Sequence, residues 1–132
     1  MATRVEELFV YQKALKLWEA VNAILKHPKV QQDLRLHAQL RDASDSVLSN
    51  ISEGFEQPTD KAFARYLFIA KASAAEVRTR LLIAVKREYL SSKECDPASA
   101  LTDEVARMAV KLAQYLLSSN RTGRGLGRSK RR

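Results

Sequence analysis

Residues that cross-link, bend or activate a chain are scarce in this sequence. Cys95 is its only cysteine, which excludes an intrachain disulfide or a cysteine cluster and fits a reducing compartment. His27 and His37 are the only histidines. They form no His-x-x-x-His or Glu-x-x-His pair, so a metal site is not expected. Gly54 is the sole glycine before residue 123, which leaves no glycine-rich phosphate loop. No stretch reaches the roughly 18 uninterrupted apolar residues of a membrane span. Glu6 and Glu7 precede any long apolar run, unlike a secretory leader. With these constellations missing, the expectation is a cytoplasmic protein without enzymatic activity or cofactor.

What is present suits helices. The chain has 132 residues, 45% of them apolar, with only four glycines and three prolines. Ala, Leu, Glu, Lys and Arg dominate the rest, and the expected fold is all-α. Residues 1–120 read as an antiparallel up-down-up-down four-helix bundle, and 121–132 as a flexible basic tail.

Four segments can be placed by periodicity and punctuation. Thr3-Arg4-Val5-Glu6 has the capping-box pattern. It precedes an apolar stripe at Leu8, Tyr11, Leu15, Trp18 and Leu25, widened by Val21 and Ile24. His27-Pro28 ends this segment, since the residue before proline is pushed out of the α region. The second segment starts near Asp33, repeats at Leu36, Leu40, Ala43, Val47 and Ile51, and ends around Gly54. A break at 56–59 follows, with Thr59 the cap of the third segment. There Phe63, Leu67, Ala70, Ala74, Val77, Leu81 and Ala84 alternate steps of four and three, the seam of a left-handed bundle. Asp96-Pro97 suggests a cap and first-turn proline for the fourth, with a stripe at Leu101, Val105, Met108, Leu112 and Tyr115. Short connections favour antiparallel neighbours.

Leu17, Tyr66, Ile69, Leu82, Ile83, Leu116 and Leu117 fall off these seams. A second apolar face of this kind marks either a subunit interface or stripes that are simply broad.

The net charge of +8 is unevenly placed. Arg121, Arg124, Arg128, Lys130, Arg131 and Arg132 occupy the last twelve residues with no acid, while 17 basic and 15 acidic residues leave +2 on the first 120. Such a tail can track a phosphate backbone through arginine forks. Lacking aromatic residues, it offers no base stacking. Arg78, Arg80, Lys86 and Arg87 cluster in the second half of the third segment, either as further phosphate contacts or as an ordinary solvated face with ion pairs. Asn50 and Glu53 are polar positions beside the buried stripe of the second segment; they either grip a ligand or fix helix register. Cys95, in an expected loop beside Glu94 and Asp96, should have a raised thiol pKa.

Three stretches carry a resemblance. They are Leu8-Phe9-Val10-Tyr11-Gln12-Lys13-Ala14; Gln39-Leu40-Arg41 through Ser49-Asn50-Ile51-Ser52-Glu53-Gly54-Phe55; and Phe63 through Ile69-Ala70-Lys71-Ala72-Ser73-Ala74-Ala75-Glu76. In order and spacing the chain resembles, over about residues 5–118, the four-helix-bundle proteins of the 23S rRNA intervening-sequence (S23) family. Those are relatives of the accessory variability proteins of diversity-generating retroelements. The resemblance implies a homopentamer without catalysis and with a nucleic-acid-binding surface; for the retroelement branch it also implies a partner reverse transcriptase and its template RNA. The chain departs from the family pattern at Asp42, where a basic residue is usual, and at Ala72 and Tyr11, in place of glycine and tryptophan. Taken together, the expected function is a non-catalytic oligomer that binds nucleic acid, RNA first, through the tail and the third-segment arginines. The alternatives are a reverse-transcriptase accessory protein and a structural oligomer with no nucleic-acid role.

Overall fold

In the computed structural model, which describes residues 2–118, a 3-10 turn at Val5–Glu7 leads into five helices. They are α1 (Phe9–Leu25), the short α2 (Pro28–Gln32), α3 (Leu34–Phe55), α4 (Asp60–Lys86) and α5 (Ser92–Leu116), and no strand occurs among the described residues. The expected tail at 121–132 lies outside this range.

The four long helices close a ring in which α1 packs on α3 and α5, and α4 packs on the same two. Two cross-helix contacts fix the direction of the α3–α4 pair. Asp33 meets Arg87 and Ser46 meets Ser73, so as α3 advances α4 retreats. Trp18 donates its indole N–H to Asp45 at 2.7 Å across α1 and α3. Lys13 pairs with Glu104 at 3.1 Å across α1 and α5.

The seams expected for α3 and α4 are the ones the bundle buries, from Leu36 to Ile51 and from Phe63 to Ala84. Each fully buried Leu, Val or Phe among them contributes about 1.5–3 kcal/mol relative to exposure. Phe55 and Phe63 close the hairpin between them edge to face, with ring centroids 6.0 Å apart. Asp33 and Thr59 cap these helices, accepting from the N–H groups of Leu36 and Ala62. His27-Pro28 ends α1 as expected, and the same proline opens α2.

The α1 and α5 seams differ from expectation, each turned by about one residue position. On α1 the bundle buries Val10, Ala14, Leu17, Val21 and Leu25, leaving Leu15 exposed and Tyr11 and Trp18 half-buried. On α5 it buries Cys95, Ala98, Thr102, Val105, Ala109, Ala113 and Leu116, while Tyr115 is exposed. Small side chains let neighbouring helices approach, and the bulkier residues flank the contact. Leu17 and Leu116, read as off the seam, are therefore core.

Two caps also differ. Val5–Glu7 is a 3-10 turn, and it is the Glu7 carboxylate that accepts from the Thr3 N–H, at 2.8 Å, with no side-chain cap at Arg4. The last helix starts at Ser91, not Asp96. Ser91 Oγ accepts from the Glu94 N–H at 3.0 Å, and Glu94 accepts from the Ser91 N–H at 2.8 Å, a complete capping box. Pro97 thus lies inside α5, and Cys95 sits on a helix, buried.

Candidate nucleic-acid interface

The antiparallel α3–α4 hairpin brings the start of α3 beside the end of α4, and Asp33 joins them. Its Oδ1 accepts from the Leu36 N–H at 3.1 Å; its Oδ2 accepts from Arg87 Nη1 and from the Tyr89 hydroxyl, both at 2.9 Å. The Leu36 N–H first, then the Tyr89 hydroxyl and Arg87, hold the Asp33 carboxyl below its ordinary value. The same bond raises the Tyr89 hydroxyl. Tyr89 reaches this position because α4 ends in a Schellman turn, with the Tyr89 N–H bonded to the Ala84 carbonyl at 2.9 Å. Glu88 occupies the left-handed position of that turn, at φ 61°.

Next to Asp33 lies a cleft of about 530 Å³, lined by Asp33, Arg35, Leu36 and Gln39 from the α3 side and Arg80, Ile83 and Arg87 from α4. Arg35 and Gln39 are one helical turn apart, as are Arg80 and Ile83, so each helix presents one face to it. Arg87 gives part of its fork to Asp33. Arg80 lies 3.7 Å from Glu76 on its own helix, and its Nε is buried with no hydrogen-bond partner. A buried donor without a partner costs about 1–3 kcal/mol, more than the roughly 0.3–0.5 kcal/mol of an exposed i,i+4 ion pair. Arg35 is exposed and makes no ion pair among the described residues.

Of the four basic residues singled out in the third segment, the structure brings Arg80 and Arg87 together. Arg78 points to the other neighbour, 3.4 Å from Asp103 on α5. Lys86 is exposed and lines no part of the cleft. Arg121, Arg124, Arg128, Lys130, Arg131 and Arg132 lie outside the described residues. Sequence reasoning missed Arg35 and Gln39, although the hairpin pairing of Asp33 with Arg87 would have placed them. The charge reversal at Asp42 is absorbed locally, by an exposed pair with Arg41 at 3.2 Å.

Asn50 turns out to serve the helix contact. It donates to the Ser46 carbonyl at 2.8 Å and to Ser46 Oγ at 2.9 Å, and Ser46 Oγ lies 2.8 Å from Ser73 Oγ on α4. Glu53 is exposed, its carbonyl accepting from Gln57. Cys95 is 3% exposed, and burial first, then Glu94 and Asp96, raises its thiol pKa. Among the described residues no group of three or more His, Cys, Asp or Glu could hold a metal ion, and no helix is long and apolar enough to cross a membrane.

Fold and surface together define a class: an all-helical bundle with a packed interior, whose polar chemistry lies on its helix faces and at its ends. Within that class the chain belongs to the family described as 23S rRNA-intervening sequence protein, whose sequence model matches residues 6–111. A crystal structure of a protein of unknown function from the S23 ribosomal protein family, from Bacteroides thetaiotaomicron, superposes with a TM-score of 0.74 at 19% identity. The match covers 80% of this chain and 98% of that one; at such identity the likeness is one of fold. No curated protein matches the sequence.

Proposed function

We propose that this chain is a non-catalytic homo-oligomer that binds RNA through phosphate contacts made by its basic C-terminal segment, with Arg78, Arg80, Lys86 and Arg87 of α4 as further contacts. The observation that carries this reading is the segregation of charge: residues 121–132 hold six cations and no acid, against +2 for the other 120. The family's description, a 23S rRNA-intervening sequence protein, favours RNA over DNA. Phosphate contacts dominate affinity and carry little sequence information, so binding is largely sequence-independent.

Self-association rests on an unpartnered face of α4. Phe68, Ala72, Ala75, Thr79 and Leu82 are all exposed and follow one another by steps of four and three. That spacing is a second helical seam, and we propose a ring of five protomers built on it. In a ring the arginines of each protomer repeat around the axis, which multiplies a modest local field.

The test is a salt titration of RNA affinity for the full chain and for a chain truncated after residue 120. Six cations engaging single strands would contribute a slope of about −4 in log K against log salt. Truncation should remove most of that slope and leave thermal melting unchanged. Equal affinity of the two chains would overturn the role of the tail. Weak binding by both would favour the alternative in which a protein partner, such as a reverse transcriptase, supplies the RNA contact.

A further inference from the structure

We infer that the cleft between the start of α3 and the end of α4 is a phosphate-binding site formed within one protomer by Arg35, Gln39, Arg80 and Arg87. Arg80 Nε is buried with no hydrogen-bond partner among the described residues, while the residue itself lines an open cleft, so this guanidinium keeps a donor that an acceptor in the cleft could satisfy after a small turn of the side chain. Three guanidinium groups line this one cleft. The single carboxylate among the lining residues, Asp33, already receives three donors, from Leu36, Arg87 and Tyr89. Its ion pair is with Arg87, and none with Arg35 or Arg80 occurs among the described residues.

The chemistry of the remaining donors selects the ligand. Arg35 and Arg80 line the cleft from different helices, and guanidinium groups offered from two sides suit a tetrahedral oxyanion. Gln39 adds an amide N–H₂ from the α3 side. Leu36 and Ile83 supply the apolar part of the lining. Glu76 competes for Arg80 from 3.7 Å. At that distance it is an ion pair, and the Nε remains without a hydrogen bond. The site deepens the RNA reading and rests on it only for the source of the phosphate, which is either a backbone phosphodiester or a free phosphate ion.

The test follows the arginine Nε–H resonances of the full chain by NMR during titration with inorganic phosphate, and separately with an RNA dodecamer lacking terminal phosphates. Sodium chloride at matched ionic strength is the control. The Arg80 resonance should shift with at least one of the two ligands and not with chloride. Arg35→Gln and Arg80→Gln should each weaken that binding about tenfold, as expected for loss of a charge-assisted hydrogen bond. Arg107→Gln, an exposed arginine on α5 outside the cleft, should change it less than twofold. Thermal melting of each variant checks that it is folded. A shift with phosphate but not RNA would support the site and count against the RNA reading. RNA binding with Arg80 unmoved would overturn the site and leave that reading intact. Loss in Arg107→Gln equal to that in Arg35→Gln would also overturn the site, as general electrostatics would then suffice.

Discussion

At the scale of single residues, the α3–α4 hairpin depends on a glycine at one end and lacks one at the other. A Cβ on Gly54 would stand 2.7 Å from Tyr66 Cβ and 2.9 Å from a Phe63 ring carbon. Gly54→Ala would gain about 1 kcal/mol of helix propensity. Overpacking of a close contact costs about 1–3 kcal/mol, and here one of the opposing atoms is a Cβ that moves only with its helix. The clash should win, and urea denaturation should show a net loss of up to about 2 kcal/mol. Glu88 is the opposite case, a side chain held at φ 61° where a Schellman turn favours glycine. Its carboxylate takes part in no hydrogen bond or ion pair of the turn. Glu88→Gly should raise stability by about 0.5–1 kcal/mol, since the left-handed strain of about 1–2 kcal/mol outweighs the added chain entropy of glycine. The same denaturation series reads both signs.

At the scale of elements, the caps decide how the bundle responds to acid. The carboxyls of Asp33 and Glu94 receive N–H donors at the starts of α3 and α5, and Glu7 receives one from Thr3. All three are held below their ordinary values. A carboxylate with a depressed folded pKa adds stability that is fully present above its unfolded value and lost as pH falls through its folded one. The melting temperature should therefore hold from neutrality to about pH 5 and fall below about pH 4. Asp33→Asn should flatten that fall. A melting temperature that rises on acidification would contradict the capping account.

The same elements show what could be read in advance. The α3 and α4 seams were legible because their core positions are filled mainly by Leu, Val, Ile and Phe, whose recurrence every three or four residues gives the face away. The α1 and α5 seams were not. On α5 the contact uses Ala98, Ala109 and Ala113, and on α1 Ala14 is joined by Val10, Leu17 and Val21, while Leu15, Trp18, Met108 and Tyr115, of equal or greater size, stand beside the contact line. Weighting by hydrophobic size picks the flank; close approach of helices rewards the small residue. Pro97 misled for a related reason. A proline marks a helix start only when no stronger cap precedes it, and the Ser91–Glu94 box lies a turn and a half upstream. The arginine cleft was half legible: Arg80 and Arg87, seven apart on one face, could be paired by spacing alone. Arg35 could not, because its place beside them depends on how two helices pair.

At the scale of the whole molecule, the exposed apolar residues argue for a second copy. Leu82 is 56% exposed and Phe68 42%, with Ala72, Ala75 and Thr79 between them on one face of α4. Large residues at the ends and small ones in the middle let a facing helix sit close and still bury a side chain at each end. Substituting an exposed position leaves the protomer's own core intact, so Leu82→Glu separates assembly from folding. By light scattering, the parent chain at micromolar concentration should have five times the 14.9 kDa mass of one protomer. Leu82→Glu should fall towards the single mass with its far-ultraviolet helix signal retained, because each assembled copy would bury an unpaired carboxylate at the contact. A parent chain that is already monomeric would remove the pentamer, and a variant that stays assembled would move the interface to another face. The RNA reading would survive both outcomes, with one change. A monomer presents a single basic segment, so salt dependence would remain but the gain in affinity from several linked contacts would be lost.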